Sequence, residues 1–296
     1  MGLQMSISEK LSGIGEIYYI NLDSNPERKE FMENQFLKYN ITNYTRVPGF
    51  DAKKEGVDSI LCGDRPKDMS DGEIGCTVSH LKAINHWYNN SNSSYAVIME
   101  DDLMFDLVEH WNFTWDDFIK ELPYDWDVVQ LSIISIKRLY PVLHKRFINS
   151  FSTACYIINR KYAEKLINLH VCEDKYKLDL GSKPRAVSDD LIYNAGNTYS
   201  IPLLLANLDL ESSIHQNHLD DYHKVSYYCI EFLWKNFTKN LNIKDLMDYD
   251  SRLLHYWQEL RQGSDLKNSE TISEFEKILH IDSIYKAYMN SAKDSK

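Results

Sequence analysis

The 296-residue chain is long enough to bury a full core, and with 43% hydrophobic and 26% charged residues it has ordinary globular composition without a long disordered tract. Its formal net charge of -11 argues against non-specific binding to nucleic acid or to an anionic membrane surface, since both need cationic patches. A phosphate-bearing ligand is not excluded, because a bound divalent cation supplies positive charge locally.

No apolar run approaches 18 residues, and the polar stretch from Met1 to Gly15 lacks the apolar stretch of a signal peptide. Cys62, Cys76, Cys155, Cys172 and Cys229 are widely spaced and odd in number, with no CxxC pair. These features predict free, mostly buried thiols in a reducing compartment, and hence a cytoplasmic protein.

In chain order, Glu16 to Leu22 (EIYYINL) reads as a buried strand, and Asp23 to Glu27 supplies a cap signal before a helix over about Pro26 to Tyr39. Thr45 to Pro48 is a short second strand. Gly49 to Asp71 is a long Gly/Asp/Lys-rich loop with room for a short helix, and a loop of that length suits a lid or binding segment. A helix follows from about Asp71 to Tyr88, with Ile74, Val78, Leu81, Ile84 and Trp87 near helical spacing. Tyr95 to Met99 is a strand, Thr114 to Leu122 helical, Trp126 to Leu131 a strand, Phe151 to Asn159 a strand and Arg160 to about Leu169 a helix. Alternation of short apolar strands with helices predicts an α/β fold with a mainly parallel sheet flanked by helices over residues 1–220. Lys224 to Lys239, Ile243 to Gln262 and Ile272 to Met289 are amphipathic without strand signals, so 221–296 reads as a helical C-terminal extension or a homo-oligomer contact.

The strand Tyr95-Ala96-Val97-Ile98-Met99 runs directly into Glu100-Asp101-Asp102. Side chains two apart on a strand share a face, so Glu100 and Asp102 point together while Asp101 turns aside. Two carboxylates at a strand's carboxyl end suit a hard metal that also binds phosphate oxygens, and ligands of such sheets sit at that edge. An acidic turn after an edge strand is the other reading. No GxxxxGK[ST] loop, GxGxxG turn, HExxH or GxSxG motif is present, so a metal on carboxylates is the remaining way to grip a diphosphate.

Other candidate groups are scattered. Arg28, in the first turn of its helix, either faces a diphosphate together with free backbone N–H groups or is solvated. His80 either reaches a phosphate or acceptor hydroxyl or pairs with a carboxylate. Ser188-Asp189-Asp190 is either a helix cap with an acidic first turn or a source of the carboxylate that takes an acceptor proton. His215 is a further candidate metal ligand, or a solvated loop histidine.

Together these stretches resemble glycosyltransferase family 25, the lipooligosaccharide and procollagen galactosyltransferase family. The resemblance is carried by Ile20-Asn21-Leu22-Asp23 with Pro26-Glu27-Arg28, by Val47 to Ala52, by Gly72 to His80 and by Val97 to Asp102, and more weakly by Ser152 to Asn159 and Ser188 to Asp190. It spans about residues 16 to 220. It implies a GT-A type nucleotide-diphospho-sugar domain that transfers galactose or glucose from a UDP-sugar with inversion, using Mn²⁺ or Mg²⁺, to a glycan or glycoconjugate acceptor. Carried over by residue, Glu100 and Asp102 match the metal motif, and Asp101 lies beside ribose or metal. Asn21, Leu22 and Asp23 match the nucleotide-facing strand, Arg28 faces the diphosphate, and Asp190, with Asp189 as rival, is the general base. The alternatives are a metal-dependent nucleotidyltransferase and a catalytically silent carbohydrate-binding or scaffold protein.

Overall fold

The computed structural model describes residues 5–135, 139–178, 186–210, 222–238, 241–247, 285 and 289–290. Strand β1 (Glu16–Asn21) leads into helix α1 (Pro26–Lys38), whose first position is the proline that a helix start tolerates. Strand β2 (Tyr44–Pro48) follows, and the long loop after it holds a short helix, Ala52–Glu55. Helix α2 (Asp71–Asn90) starts at a reciprocal capping box in which Ser70 and Glu73 each accept from the other's backbone N–H. Strand β3 (Tyr95–Glu100), helix α3 (Trp115–Lys120) and strands β4 (Val128–Gln130), β5 (His144–Lys145) and β6 (Cys155–Asn159) come next. Helices α4 (Arg160–His170) and α5 (Ser188–Tyr193), strand β7 (Thr198–Ser200) and helix α6 (Lys224–Leu233) complete the principal elements.

The central sheet has seven strands in the order β2-β1-β3-β6-β4-β7-β5. Strands β2, β1 and β3 are mutually parallel, as are β4 and β7, but β6 runs antiparallel to both β3 and β4, and β5 runs antiparallel to β7. Five of the seven strands thus run one way, as a mainly parallel sheet requires, while β6 and β5 run against them and make the sheet mixed. The reversal of β6 follows from the connection: between β4 and β6 the described residues form only short strands, Ile134–Ser135 pairing with Ser150–Phe151, with no helical crossover among them to return a strand parallel.

Alternation along the strands sorts the core onto two faces. Ile17, Tyr19, Val97 and Met99 join Met32 and Phe36 of α1 in one cluster, while Tyr18, Ile20, Ala96 and Ile98 join Ile74, Val78 and Leu81 of α2 and Leu166 of α4 in the other. Helices thus cover both faces. Cys229, Ile230 and Leu233 of α6, with Trp234, bury in the first cluster beside β1 and β3. The described part of the expected C-terminal extension is helical, over Lys224–Leu233 and Ile243–Met247, and packs into the main core. The expected boundary at 220 and most of the stretches Ile243 to Gln262 and Ile272 to Met289 lie outside the described residues.

Cys62 and Cys172 are joined in a disulfide, which corrects the expectation of free thiols. Their sequence separation of 110 hid the pairing, which the fold creates by laying the loop after β2 against the hairpin Val171–Tyr176. The pair removes the thiol argument for a reducing compartment. Cys76 and Cys155 are free thiols. No described helix is long and apolar enough to cross a membrane.

His144 of β5 is buried against Tyr140 and Phe147 and donates Nδ1–H to the Val142 carbonyl at 2.8 Å. Burial pushes its pKa down to about 4, against an ordinary 6.5. The unfolded chain therefore takes up a proton near pH 6.5 that the native state refuses until near pH 4. The His144 contribution is intact above 6.5 and is lost as pH falls toward 4, by up to about 3 kcal/mol. Urea midpoints measured across that window should fall in the parent protein and flatten in His144→Gln. Equal slopes would mean that other groups carry the acid sensitivity.

Candidate active site

Because β1 and β3 are parallel and in register, Ile20 lies opposite Glu100 and the carboxyl ends of both strands open at one edge of the sheet. The reversal of β6 brings its amino end to the same edge, with Cys155 opposite Met99 and Thr153 beside the acidic turn. Strand pairing, rather than sequence proximity, assembles this site.

Glu100 accepts a hydrogen bond from Thr153 Oγ1 at 3.0 Å and faces His80 Nε2 at 3.2 Å; the other ring nitrogen, Nδ1, lies 3.1 Å from the Tyr156 hydroxyl. Burial works to raise the Glu100 pKa, but the His80 hydrogen bond and charge outweigh it and the carboxyl sits below its ordinary value. Asp101 accepts from Asn21 Nδ2 at 2.7 Å and pairs with Arg28 at 2.9 Å. Arg28 Nη2 also holds Asp102 at 2.7 Å. Burial, with the Glu100 charge nearby, pushes the Asp102 pKa up to about 7 despite Arg28. Its second oxygen, Oδ1, is buried without a hydrogen-bond partner among the described residues.

Two cavities share these carboxylates. The smaller, of about 250 Å³, is lined by Asn21, Leu22, Arg28, His80, Asp101 and the loop residues Phe50 to Lys53. The larger, of about 500 Å³, is lined by Ser152, Thr153, Ser188, Asp189, Asp190 and an apolar wall that includes Phe151 and Leu205. Glu100, Asp102 and Cys76 line both, whereas Asp101 lines only the smaller. The even spacing of Glu100 and Asp102 thus corresponds to their joint place between the cavities.

Asp189 and Asp190 open α5. Burial raises the Asp189 pKa to about 6, although Arg146 and the Ser152 backbone favour its charged form. Asp189 Oδ1 is buried and unpartnered among the described residues, while Asp190 Oδ1 accepts from Asn194 at 3.4 Å. Ser152 is held at φ 97°, in the left-handed region that a serine rarely adopts, and its carbonyl accepts from Gln130 and from the Tyr193 hydroxyl. Such strain at a cavity wall is typical of a functional position.

Residues 14–179 match the model of glycosyltransferase family 25 (LPS biosynthesis protein). The chain belongs to that family. The crystal structure of HddC from Yersinia pseudotuberculosis is also similar, at 10% identity and a TM-score of 0.31, covering 66% of this chain and 73% of that one. A search of curated proteins finds no match.

Every lining residue of the smaller cavity falls inside the family-25 segment, whereas the Val187–Asp190 side and the Leu205–Ile230 wall of the larger cavity fall beyond it. Two family-25 blocks far apart in the chain meet beside the smaller cavity. Ser79 accepts from the Phe50 N–H at 2.8 Å, and a Cβ on Gly75 would stand 3.0 Å from the Phe50 carbonyl oxygen, so that position needs glycine's close approach.

Of the sequence-derived candidates, Asn21, Leu22, Arg28, His80, Glu100, Asp101 and Asp102 come together, with Asp189 and Asp190 on the larger cavity. Asp23 does not line either cavity; it is exposed and pairs with Arg46. Arg28 of the first helix points its Nη2 at the acidic turn, and Arg46 of β2 braces Asn21, which in turn donates to Asp101. His215 lies outside the described residues. Sequence reading missed Cys76, Thr153 and Tyr156 as site residues. For Cys76 a signal existed, its four-residue spacing from His80 on α2; for Thr153 and Tyr156 only strand pairing reveals the neighbourhood.

Proposed function

We propose that this family-25 chain is a metal-dependent, inverting hexosyltransferase that moves galactose or glucose from a UDP-sugar to a hydroxyl of a glycan or glycoconjugate, on a GT-A type scaffold. The observation that carries the reading is the position of Glu100 and Asp102 on the wall common to two cavities, with an unpartnered buried oxygen on Asp102 and another on Asp189. A buried carboxylate oxygen left without a partner, on a residue that lines both cavities, fits a hard cation, so Glu100 and Asp102 are the residues that would hold Mn²⁺ or Mg²⁺. When bound, the cation supplies charge neutralisation for the departing UDP.

In this reading the smaller cavity takes the nucleotide, with Asn21 and Leu22 at its wall and Arg28 keeping Asp101 and Asp102 oriented. The larger cavity takes the acceptor. Asp189, whose pKa near 6 leaves it ionised yet basic at neutral pH, removes the acceptor hydroxyl proton as that oxygen attacks the anomeric carbon from the face opposite UDP. In this reading Asp189 is preferred to Asp190 as the base, because burial raises its pKa toward the value that suits proton abstraction at neutral pH. The larger cavity's walls beyond the family segment are where acceptor choice is made.

The test is a thermal-shift panel of UDP-galactose, UDP-glucose, UDP-N-acetyl sugars and GDP-sugars, each with and without Mn²⁺. A cognate donor at about a hundred times its Kd should raise Tm by about 5 °C in the presence of Mn²⁺. No donor-specific shift under either condition would overturn the proposal. A Mn²⁺-dependent shift with nucleoside triphosphates in place of sugars would point to nucleotidyl transfer instead.

A further inference from the structure

We propose that Cys76, His80 and Glu100 form a site for a borderline, thiol-binding divalent cation, Zn²⁺ foremost, distinct in chemistry from the hard-cation pair Glu100 and Asp102. One ligand atom from each of the three lies within 4.8 Å of the other two. Cys76 and His80 are four residues apart and so share one face of α2, and Glu100 meets them from the end of β3. His80 Nε2 and Glu100 Oε1 are 3.2 Å apart, close to the separation of about 3.3 Å that two ligands at about 2.0–2.1 Å take around a tetrahedral ion.

The surroundings match what a zinc site needs. His80 keeps its second nitrogen, Nδ1, on the Tyr156 hydroxyl at 3.1 Å, the outer contact that fixes a ligating imidazole's tautomer and plane. Glu100 is oriented by Thr153, and Thr153 in turn contacts Ser188, whose hydroxyl lies 3.6 Å from Cys76 Sγ. Three protein ligands with both cavities opening onto Cys76 and Glu100 leave the fourth position to solvent or ligand, which is the open arrangement of a reactive rather than a structural zinc. A thiolate, an imidazole and a carboxylate select Zn²⁺ over Mg²⁺ or Mn²⁺ because sulfur is a soft donor. On binding, the Cys76 S–H bond breaks, the sulfur electron pair goes to the metal, and the proton leaves to solvent.

The experiment uses the full chain without donor. Titration with Co²⁺ should produce one equivalent of thiolate-to-metal charge-transfer absorption, displaced by Zn²⁺. Cys76→Ser should abolish the band, and His80→Gln should weaken Zn²⁺ binding by at least about a hundred-fold, since even outer-contact losses cost ten- to a hundred-fold. X-ray absorption of the Zn²⁺-loaded parent, which needs no variant to fold, should show one sulfur near about 2.3 Å with nitrogen and oxygen near about 2.0 Å. Absence of the band, its persistence in Cys76→Ser, or a zinc shell without exactly one sulfur would overturn the site. The two readings fail separately in the parent chain: the cobalt band and the zinc X-ray absorption are recorded without donor, so a missing UDP-sugar shift does not remove them and a missing band does not remove that shift.

Discussion

Replacing Asp102 with alanine is expected to lower metal-stimulated transfer from a UDP-sugar by about a thousand-fold or more while the chain still folds. The size follows from removing one of the two carboxylates that would hold the cation. Losing several kcal/mol of charge stabilisation at the leaving diphosphate corresponds to that factor, since about 4 kcal/mol is a thousand-fold in rate. The fold should survive because Arg28, paired with Asp102 at 2.7 Å, keeps Asp101 at 2.9 Å. Transfer rates with and without EDTA, alongside a thermal melt, check both halves. Full parental activity in EDTA, or an Asp102→Ala variant that responds normally to Mn²⁺, would remove Asp102 from the metal site.

The second large effect belongs to Asp189. Asp189→Asn should lose about a hundred- to ten-thousand-fold in kcat, the usual contribution of a positioned base, while its UDP-sugar shift with Mn²⁺ stays at the parental value. The binding readout is preserved because Asp189 lines the larger cavity and not the smaller one. Asp190→Asn, whose partner is the exposed Asn194 contact, should stay within about ten-fold of the parent. The pH profile offers a separate check. With a folded pKa of about 6, the base is ionised above that value, so kcat/KM should fall on the acid side of pH 6 and level off above it. If Asp190→Asn carries the loss and Asp189→Asn does not, the base is the next residue along.

Much of the local structure was legible because it depends on neighbours in the chain. Pro26 after Asn25, the helical spacing of Ile74 to Trp87 and the apolar run Tyr95 to Met99 each state their own element, and these helices and the strand begin within a residue or two of where those signals place them. The segment Phe151 to Asn159 was less legible. It reads as one strand, yet Ser152 turns through a positive φ and divides Ser150–Phe151, which pairs with Ile134–Ser135, from Cys155–Asn159 in the main sheet. Nothing in the residue types of that stretch announces the break, because a serine in that conformation is held there by Gln130 and Tyr193 from elsewhere in the fold.

For the site, sequence alone determined that a strand runs into Glu100-Asp101-Asp102, that Asn21 lies at the end of another strand with Arg28 in the first turn of the helix after it, and that the blocks resemble one glycosyltransferase family, to which residues 14–179 assign the chain. Those are facts of local pattern and order. Only the tertiary structure decided that Arg28 braces the acidic turn, that Glu100 is shared by His80 and Thr153, that burial raises the Asp189 pKa, and that Cys62 meets Cys172. The physical reason is that these contacts join residues brought together by strand order and by the direction of β6. Pairing direction depends on how the whole sheet closes over its two apolar faces, and no short window of sequence contains that information.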